Sequence, residues 1–155
     1  MRRIIVLLAA LLLVLATAAP AAAKPAPVTI VSHMDQLYFP SAPNGGGFIA
    51  SGSDLVCASG TVLDLSYAFT GYENGRWMQI GVRKAFTCHD NTGTFYVALQ
   101  IRTAADGTES FTWVAQGGTE AYRGLRGSGH GTTAPADSGV VNTYTGYFYT
   151  AFFGR

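Results

Sequence analysis

Lys84 is the residue whose position in the sequence most strongly suggests chemistry. In the segment Arg76–Cys88 it has the same parity as the apolar residues Met78, Ile80, Val82, Phe86 and Cys88. Because side chains alternate between the two faces of a strand, a regular strand would place Lys84 on the apolar face. Burial of a lysine is costly unless its ammonium is paired, and burial lowers its pKa.

Two interpretations of Lys84 remain open from the sequence. A bulge near Arg83, or a place at a strand end from which the ammonium reaches water, would leave Lys84 at the surface. Alternatively, Lys84 lies in the interior as a cation with an acidic partner. Asp64 and Glu109 lie near the ends of predicted strands, so we expect both carboxylates to be solvated. No pair of carboxylates has a spacing that predicts glycoside hydrolysis.

A glycine-rich segment supplies the other candidate residues. Gln116–Gly129 contains five glycines in 14 residues, with Tyr122 and Arg126 among its few bulky side chains. The simplest interpretation is a long turn between two strands, held by Tyr122, with Glu120 solvated. The segment is not a phosphate loop, because no helix follows it, and it lacks the G-x-S-x-G spacing of a nucleophile elbow.

The first residues have the pattern of a secretory signal. Arg2 and Arg3 precede the apolar run Ile4–Ala16, and an A-x-A site predicts cleavage before Lys24. The alternative is a retained membrane anchor, but the run is shorter than the roughly 20 residues needed to span a bilayer. No later segment is apolar enough to cross a membrane, so we expect a secreted protein.

Cys57 and Cys88 are the only cysteines. An even count in a secreted chain predicts one disulfide, which would stabilise the fold by about 3–4 kcal/mol. The alternatives are two buried thiols or a redox or metal pair. The three histidines show no ligand spacing, so we expect no metal site; they are His33, His89 and His130.

The composition excludes several classes of protein. The chain has 155 residues, a formal net charge of +1 and 12% charged residues, and removal of Arg2 and Arg3 with the signal changes the charge to −1. Such a chain is not an electrostatic nucleic-acid binder. It is too apolar to be disordered, and its length fits one closed core.

The remaining chain is typical of an all-β protein. Turn residues recur every 8–15 residues, and in Thr94–Thr103 apolar and polar residues alternate. This period of two, without any amphipathic helix, predicts antiparallel strands in a sandwich or a barrel. The predicted strands are about 28–39, 47–52, 61–72, 76–88, 94–103, 109–117, 125–133 and 140–153.

Aromatic residues occupy both faces of the last predicted strand, 140–153. A strand that is apolar on both sides is either central in a two-layer packing or part of an interface. The pattern therefore predicts either a covered strand or a homo-oligomer that forms through this C-terminal strand.

The segment Gly117–Gly127 reads G-G-T-E-A-Y-R-G-L-R-G. It resembles the G-G-T-G-x-[FY]-x-x-x-R-G signature of dirigent proteins and of the related allene oxide cyclase-like barrels. Glu120 stands where the signature has its second glycine, which indicates either a different turn or an acid near the cavity. Small secreted bacterial proteins with such a barrel are similar over about residues 45–150. Their pattern also includes Cys57–Thr61, Phe86–Gly93 and Tyr144–Gly146.

The resemblance implies a fold and a domain organisation. It implies an eight-stranded antiparallel β-barrel with an apolar central cavity, formed by residues 45–155. A signal peptide (1–23) and an N-terminal linker with a candidate first strand (24–44) precede it. In those families the cavity binds hydrophobic or phenolic small molecules. The signature arginine, here Arg126, is associated with the pocket, although it could equally tie the glycine-rich turn to carbonyls.

The predicted function is binding or steric steering of a small hydrophobic or phenolic molecule outside the cell. Any enzymatic activity would be of the isomerase or cyclase type, acting by confinement without a cofactor or a metal. Lys84, Arg126, Glu120 and Tyr122 are the candidate ligand-binding residues. The alternatives are a non-enzymatic extracellular interaction or surface protein that uses the barrel as a scaffold, and a small inhibitor that binds through its loops.

Overall fold

The computed structural model describes residues 24–35, 44–73 and 76–151, with the backbone alone for residues 73 and 76–78. The predicted signal peptide (1–23) and the predicted strand residues 36–39 and 152–153 lie outside these ranges. Eight strands form one closed antiparallel barrel in which each strand pairs with the next in sequence and the last pairs with the first. The predicted all-β, eight-stranded barrel is confirmed, and the sandwich alternative is wrong.

The barrel begins with the candidate first strand from residues 24–44, which pairs with both the second and the last strand. Closure leaves no open sheet edge. No helix in the described ranges is long and apolar enough to cross a membrane. The strands are β1 (Ala26–Met34), β2 (Gly45–Ser51), β3 (Ser59–Glu73), β4 (Arg76–Cys88), β5 (Thr94–Thr103), β6 (Glu109–Gly118), β7 (Leu125–Pro135) and β8 (Val140–Thr150).

Aromatic rings fill the centre of the barrel. Alternate residues of each strand point inward, and the largest of these are almost fully buried. Phe86 and Phe95 stack with their ring centroids 4.9 Å apart. The central space that the resemblance implies as an open cavity is therefore occupied by side chains. The rings of this core include Phe86, Phe95, Phe148, Trp113 and Tyr144.

Strand β7 contributes backbone, but no side chains, to the middle of this core. Its inward positions are Gly127, Gly129 and Gly131, which lie against rings from the neighbouring strands. A Cβ atom at Gly129 would lie 2.7 Å from Nε1 of Trp113, and one at Gly127 would lie 2.5 Å from a ring carbon of Phe148. Glycine is required here because the backbone carbonyls of β8 lie closest to such a Cβ atom and the rings of β6 and β8 lie beside them.

One end of the barrel is closed by the predicted disulfide, which the structure confirms between Cys57 and Cys88. Tyr122, from a short 3₁₀ turn, is buried at this end with its phenol oxygen 3.2 Å from Sγ of Cys88. Leu125 is buried at the same end. We call this the disulfide end. The opposite end, where β5 leads into β6 and β7 into β8, is called the open end.

Candidate functional site

The Lys84 side chain lies inside the barrel, where it forms a salt bridge with Asp64. The two residues face each other across the β3–β4 ladder, and each is 4% exposed. Nζ of Lys84 is 2.5 Å from Oδ1 of Asp64. The expectation of a solvated Asp64 is therefore wrong, because the buried ammonium compensates the charge of the carboxylate.

A β-bulge in β3 explains how two polar side chains come to face the interior side by side. Val62 and Asp64 take successive inward positions, and the ladder then shifts between Asp64 and Ser66. Leu65 and Ser66 are both exposed, and Tyr67 takes the next inward position. The extra residue therefore sets the Tyr67 phenol beside the Asp64 carboxylate.

Hydrogen bonds extend the salt bridge towards β2. The Tyr67 hydroxyl donates to Oδ2 of Asp64 at 2.7 Å, and the Asn44 side-chain amide donates to the Tyr67 oxygen at 2.8 Å. The backbone N–H of Asp64 donates to the carbonyl of Asn44 at 2.8 Å. Both carboxylate oxygens of Asp64 are thus bonded, which partly offsets the cost of its burial.

The surroundings change the acidity of this group of residues. Burial lowers the pKa of Lys84, and the charge of Asp64 and its hydrogen bond oppose that shift. Burial raises the pKa of Tyr67 to about 12, and the hydrogen bond and charge of Asp64 add to the effect. The phenol therefore stays protonated as a donor, while the ammonium releases its proton more readily than an exposed lysine does.

Two further hydroxyls, those of Ser32 on β1 and Tyr144 on β8, are fully buried in the barrel. They lie near each other, and neither has a hydrogen bond of good geometry to another residue in the described part of the chain. Burial raises the pKa of Tyr144 far above its usual value; the nearby Ser32 hydroxyl opposes the shift and the Asp64 charge adds to it. A hydroxyl has one donor and two acceptor sites, so this pair still has hydrogen-bonding capacity for a water or ligand oxygen. We call Asp64, Tyr67, Lys84, Ser32 and Tyr144 the interior polar cluster.

A pocket of about 310 Å³ lies at the open end of the barrel. Two larger hollows, of about 460 and 470 Å³, lie on the outer wall instead. Neither Lys84 nor Arg126 lines the pocket at the open end. Its wall consists of Ile80, Ile101, Gly107, Glu109, Thr133, Pro135 and Val140.

Glu109 is the one charged residue among the described side chains of this pocket wall. It is half-buried rather than fully solvated, in contrast to the expectation from the sequence, and Oε1 accepts a hydrogen bond from Thr103 at 3.4 Å. Thr133, from the same wall, donates to Oδ1 of Asn142 at 2.9 Å. Asn142 pairs with Ser32 on β1, so adjacent residues connect the pocket wall with the interior polar cluster.

The other three candidates from the sequence lie at the disulfide end. The Tyr122 hydroxyl shares a 2.7 Å hydrogen bond with the Thr92 hydroxyl. Arg126 is half-buried, and its Nη1 donates to the carbonyl of the adjacent Leu125 at 2.7 Å. Glu120 is exposed with a positive φ of 47°. The structure therefore does not bring these three residues together with Lys84.

The disulfide end also holds a group with the residue types of a metal site. A carboxylate oxygen of Asp90 lies within 4.8 Å of the sulfur atoms of Cys57 and Cys88. Because the two sulfurs are joined to each other, they offer no thiolate to a metal ion.

Sequence reasoning missed most of the interior polar cluster. Asp64 has the parity of Val62, and Ser32 has the parity of Ile30, so alternation carried a signal for both. Tyr144 belongs to the aromatic residues of the predicted strand 140–153, and nothing in that pattern separates it from the others. The missing element was the register that makes Asp64 the partner of Lys84, which depends on a bulge that the sequence does not mark.

No family model matches this chain, and no curated protein or solved structure matches it either. The likeness to dirigent proteins and allene oxide cyclase-like barrels therefore stays a prediction from the Gly117–Gly127 motif. Function has to be argued from the geometry of the barrel itself.

Proposed function

We propose that the protein binds a small, neutral, largely apolar molecule in the pocket at the open end of the barrel. The observation that carries this proposal is a space of about 310 Å³ walled by Ile80, Ile101 and Val140. That volume is at the lower end of the range of small-molecule sites. Removal of apolar surface from water would supply most of the binding free energy.

The Glu109 carboxylate in the wall restricts the charge of the ligand. Glu109 is half-buried beside the apolar residues, where its charge is screened less than at an open surface. An anionic ligand would be repelled and would lose its hydration, whereas a neutral alcohol, aldehyde or ketone would not. The proposed ligand class is therefore neutral rather than acidic.

Binding has more support than steering of a reaction. Among its described residues the wall of the pocket holds one titratable group, and the middle of the barrel is filled by rings. Catalysis by confinement needs space around the reacting atoms and groups that stabilise developing charge. An isomerase or cyclase activity would thus require the interior polar cluster to become accessible.

We also propose that the protein acts outside the cell, after removal of residues 1–23. The basic and apolar pattern of these residues supports this, together with the disulfide between Cys57 and Cys88. N-terminal sequencing of protein secreted from a bacterial host tests it. We expect Lys24 as the first residue, and retention of the full-length chain inside the cells would contradict the proposal.

Calorimetric titration with nonan-1-ol tests the binding proposal. We expect saturable binding by the unmodified protein, weaker binding of nonanoate because of Glu109, and loss of binding in Ile101→Trp, which fills the pocket. Val114→Trp is the matched control, because Val114 lies on the outside of β6 with 48% exposure. Equal affinities of the two tryptophan variants, both shown to be folded by circular dichroism, would contradict the pocket as the binding site.

The outer face of β8 favours a second candidate function, an interaction protein that assembles through this strand. Tyr147 and Tyr149 are 57% and 41% exposed on that face. Exposed aromatic side chains are common anchors of protein interfaces. Light scattering tests this candidate: an oligomer that Tyr147→Ser dissociates would support it, and a monomer at all concentrations would exclude assembly with itself.

A further inference from the structure

We infer that Lys84 captures an apolar aldehyde or ketone as an imine inside the barrel. The inference rests on the proposed function, because the carbonyl compound would enter through the pocket at the open end. It adds a chemical class of ligand and a covalent step that pocket binding alone does not include.

The surroundings of Lys84 favour a nucleophilic amine over a purely structural cation. The side chain is 4% exposed, and Asp64 is its one hydrogen-bond partner among residues 24–35, 44–73 and 76–151. An ammonium has three donors, so a structural lysine at this depth would be expected to make more bonds. Burial also lowers the pKa of Lys84, which increases the fraction of neutral amine.

Asp64 is placed to move the protons that the reaction requires. The Lys84 ammonium passes a proton to Asp64, and the resulting amine attacks the carbonyl carbon. The carbonyl oxygen takes the proton from Asp64. The nitrogen then gives one of its protons back to Asp64, which leaves a neutral carbinolamine. Asp64 then protonates the hydroxyl group, which leaves as water while the C=N bond forms. The net reaction converts ammonium and carbonyl into a protonated imine and water, with the new cation again facing the Asp64 carboxylate.

The buried hydroxyls of Ser32 and Tyr144, which lie near each other, would donate hydrogen bonds to the oxygen atom in this reaction. Both are fully buried, and the Asp64 charge acts on the Tyr144 phenol. The raised pKa of Tyr144 keeps its proton in place, so the phenol can donate to a carbonyl oxygen or to the released water. The ion pair and these two donors thus supply a base, an acid and an oxygen site in one part of the barrel.

Access from the pocket follows the inner face of β4. Ile80 lines the pocket, and Val82 and Lys84 take the next two inward positions. Four residues of strand span about 13 Å, so a linear alkyl aldehyde that extends inward from the pocket covers most of this path while Lys84 stays beside Asp64. Val82 and Leu99, which are paired and buried between the two sites, have to change rotamer for the ligand to pass.

Reductive trapping with nonanal and sodium cyanoborohydride tests the inference. Lys24 and Lys84 are the only lysines in the chain, so peptide mass mapping separates an interior adduct from one at the exposed lysine or the N-terminus. We expect one nonyl group on Lys84 of the folded protein. Lys24→Arg should retain this adduct. Lys84→Arg should lose it, because arginine keeps a cation opposite Asp64 but does not form an imine.

The outcomes separate the inference from the proposed function. Adducts at Lys24 or the N-terminus alone, with Lys84 modified only after unfolding in urea, would overturn imine capture. If nonan-1-ol binds to such a protein, pocket binding stands without the covalent step. If nonan-1-ol does not bind and no Lys84 adduct forms, both proposals are overturned. A Lys84 adduct that nonan-1-ol suppresses by competition supports both. The mapping of the unmodified chain decides the question even if Lys84→Arg fails to fold.

Discussion

The ammonium of Lys84 lies 2.5 Å from the carboxylate of Asp64 across the β3–β4 ladder, in an interior that consists otherwise mainly of apolar and aromatic side chains. Removal of one partner of a buried pair leaves an uncompensated charge, which costs more than the pair contributes. Asp64→Asn should therefore reduce the free energy of unfolding by about 3–5 kcal/mol, measured by urea denaturation at neutral pH.

The double variant Lys84→Met/Asp64→Leu is the matched control for this prediction. It removes both charges and replaces them with apolar groups, so it should recover most of the lost stability.

The sign of the pH dependence follows from the lowered pKa of Lys84. The unfolded chain binds the proton more tightly, so the stability of Asp64→Asn should rise with pH towards 10.5, the ordinary pKa of a lysine. A flat pH profile in Asp64→Asn, or stability equal to that of the unmodified protein, would show that the ammonium is not buried.

Gly129→Ala should destabilise the barrel, because its Cβ atom would lie 2.7 Å from Nε1 of Trp113 and closer still to the carbonyl oxygen of Thr145. Overpacking of this kind costs about 1–3 kcal/mol. Near-ultraviolet circular dichroism should also report a change around Trp113. Ser128→Ala, one residue away and exposed on the outer face, is the control and should leave stability within about 0.5 kcal/mol. Similar stability of both variants would mean that the ring does not pack on β7.

Glu120→Gly should stabilise the protein. Glu120 has a φ of 47°, a conformation that costs an L-residue about 1–2 kcal/mol and glycine almost nothing. After the entropy cost of glycine, a gain of about 0.5–1 kcal/mol in unfolding free energy remains. Glu120→Ala removes the charge but keeps the strain, so its stability should not increase. A gain in the alanine variant equal to that in the glycine variant would attribute the effect to charge instead of backbone conformation.

Stability should fall as pH rises from 10 to about 12. The pKa of Tyr67 is raised from the ordinary tyrosine value of 10.0 to about 12, so the folded state holds this proton over a range in which the unfolded chain has lost it. The stabilisation that the folded state gains from the Tyr67 proton is complete below pH 10. It is lost as the pH rises through the pKa of Tyr67 in the folded state. Tyr67→Phe should have a shallower decline than the unmodified protein, although Tyr144 still contributes in both. Parallel declines in urea denaturation would contradict a role for Tyr67.

The alternation of apolar and polar residues is sufficient to predict an all-β protein. The resemblance to dirigent-like barrels adds the prediction that the eight strands close into a barrel. The segment Thr94–Thr103 was predicted with the bounds that β5 has, because its inward apolar residues face a common core. The glycines of β7 look like a turn motif in the sequence, whereas in the structure Trp113 and Phe148 pack on them. The sequence of β7 does not show this packing, because it depends on β6, β7 and β8 together. The periodicity of one strand does not show that rings from β6 and β8 fill the space beside the inward glycines of β7.

The candidate site was predictable only in part. The parity of Lys84 marks it as unusual, but the place of Asp64 near the end of a predicted strand favours solvent. The pairing of Asp64 with Lys84 depends on the bulge between Asp64 and Ser66, which is not visible in the sequence. Glu120 stood out through its departure from the glycine signature, and the structure shows that the departure changes backbone strain at an exposed turn. Burial of a polar residue is decided by its partner across the sheet, which a single sequence does not identify.

The two ends of this barrel differ in a way that affects kinetics. Cys57–Cys88 and Tyr122 close one end, so among the described residues the way into and out of the pocket lies at the other end, where Gly107 and Pro135 line it. Binding and release then cross the same barrier, so its height sets both the association and the dissociation rate constant. A bulkier residue at the rim would slow exchange in both directions and increase residence time without changing the equilibrium affinity.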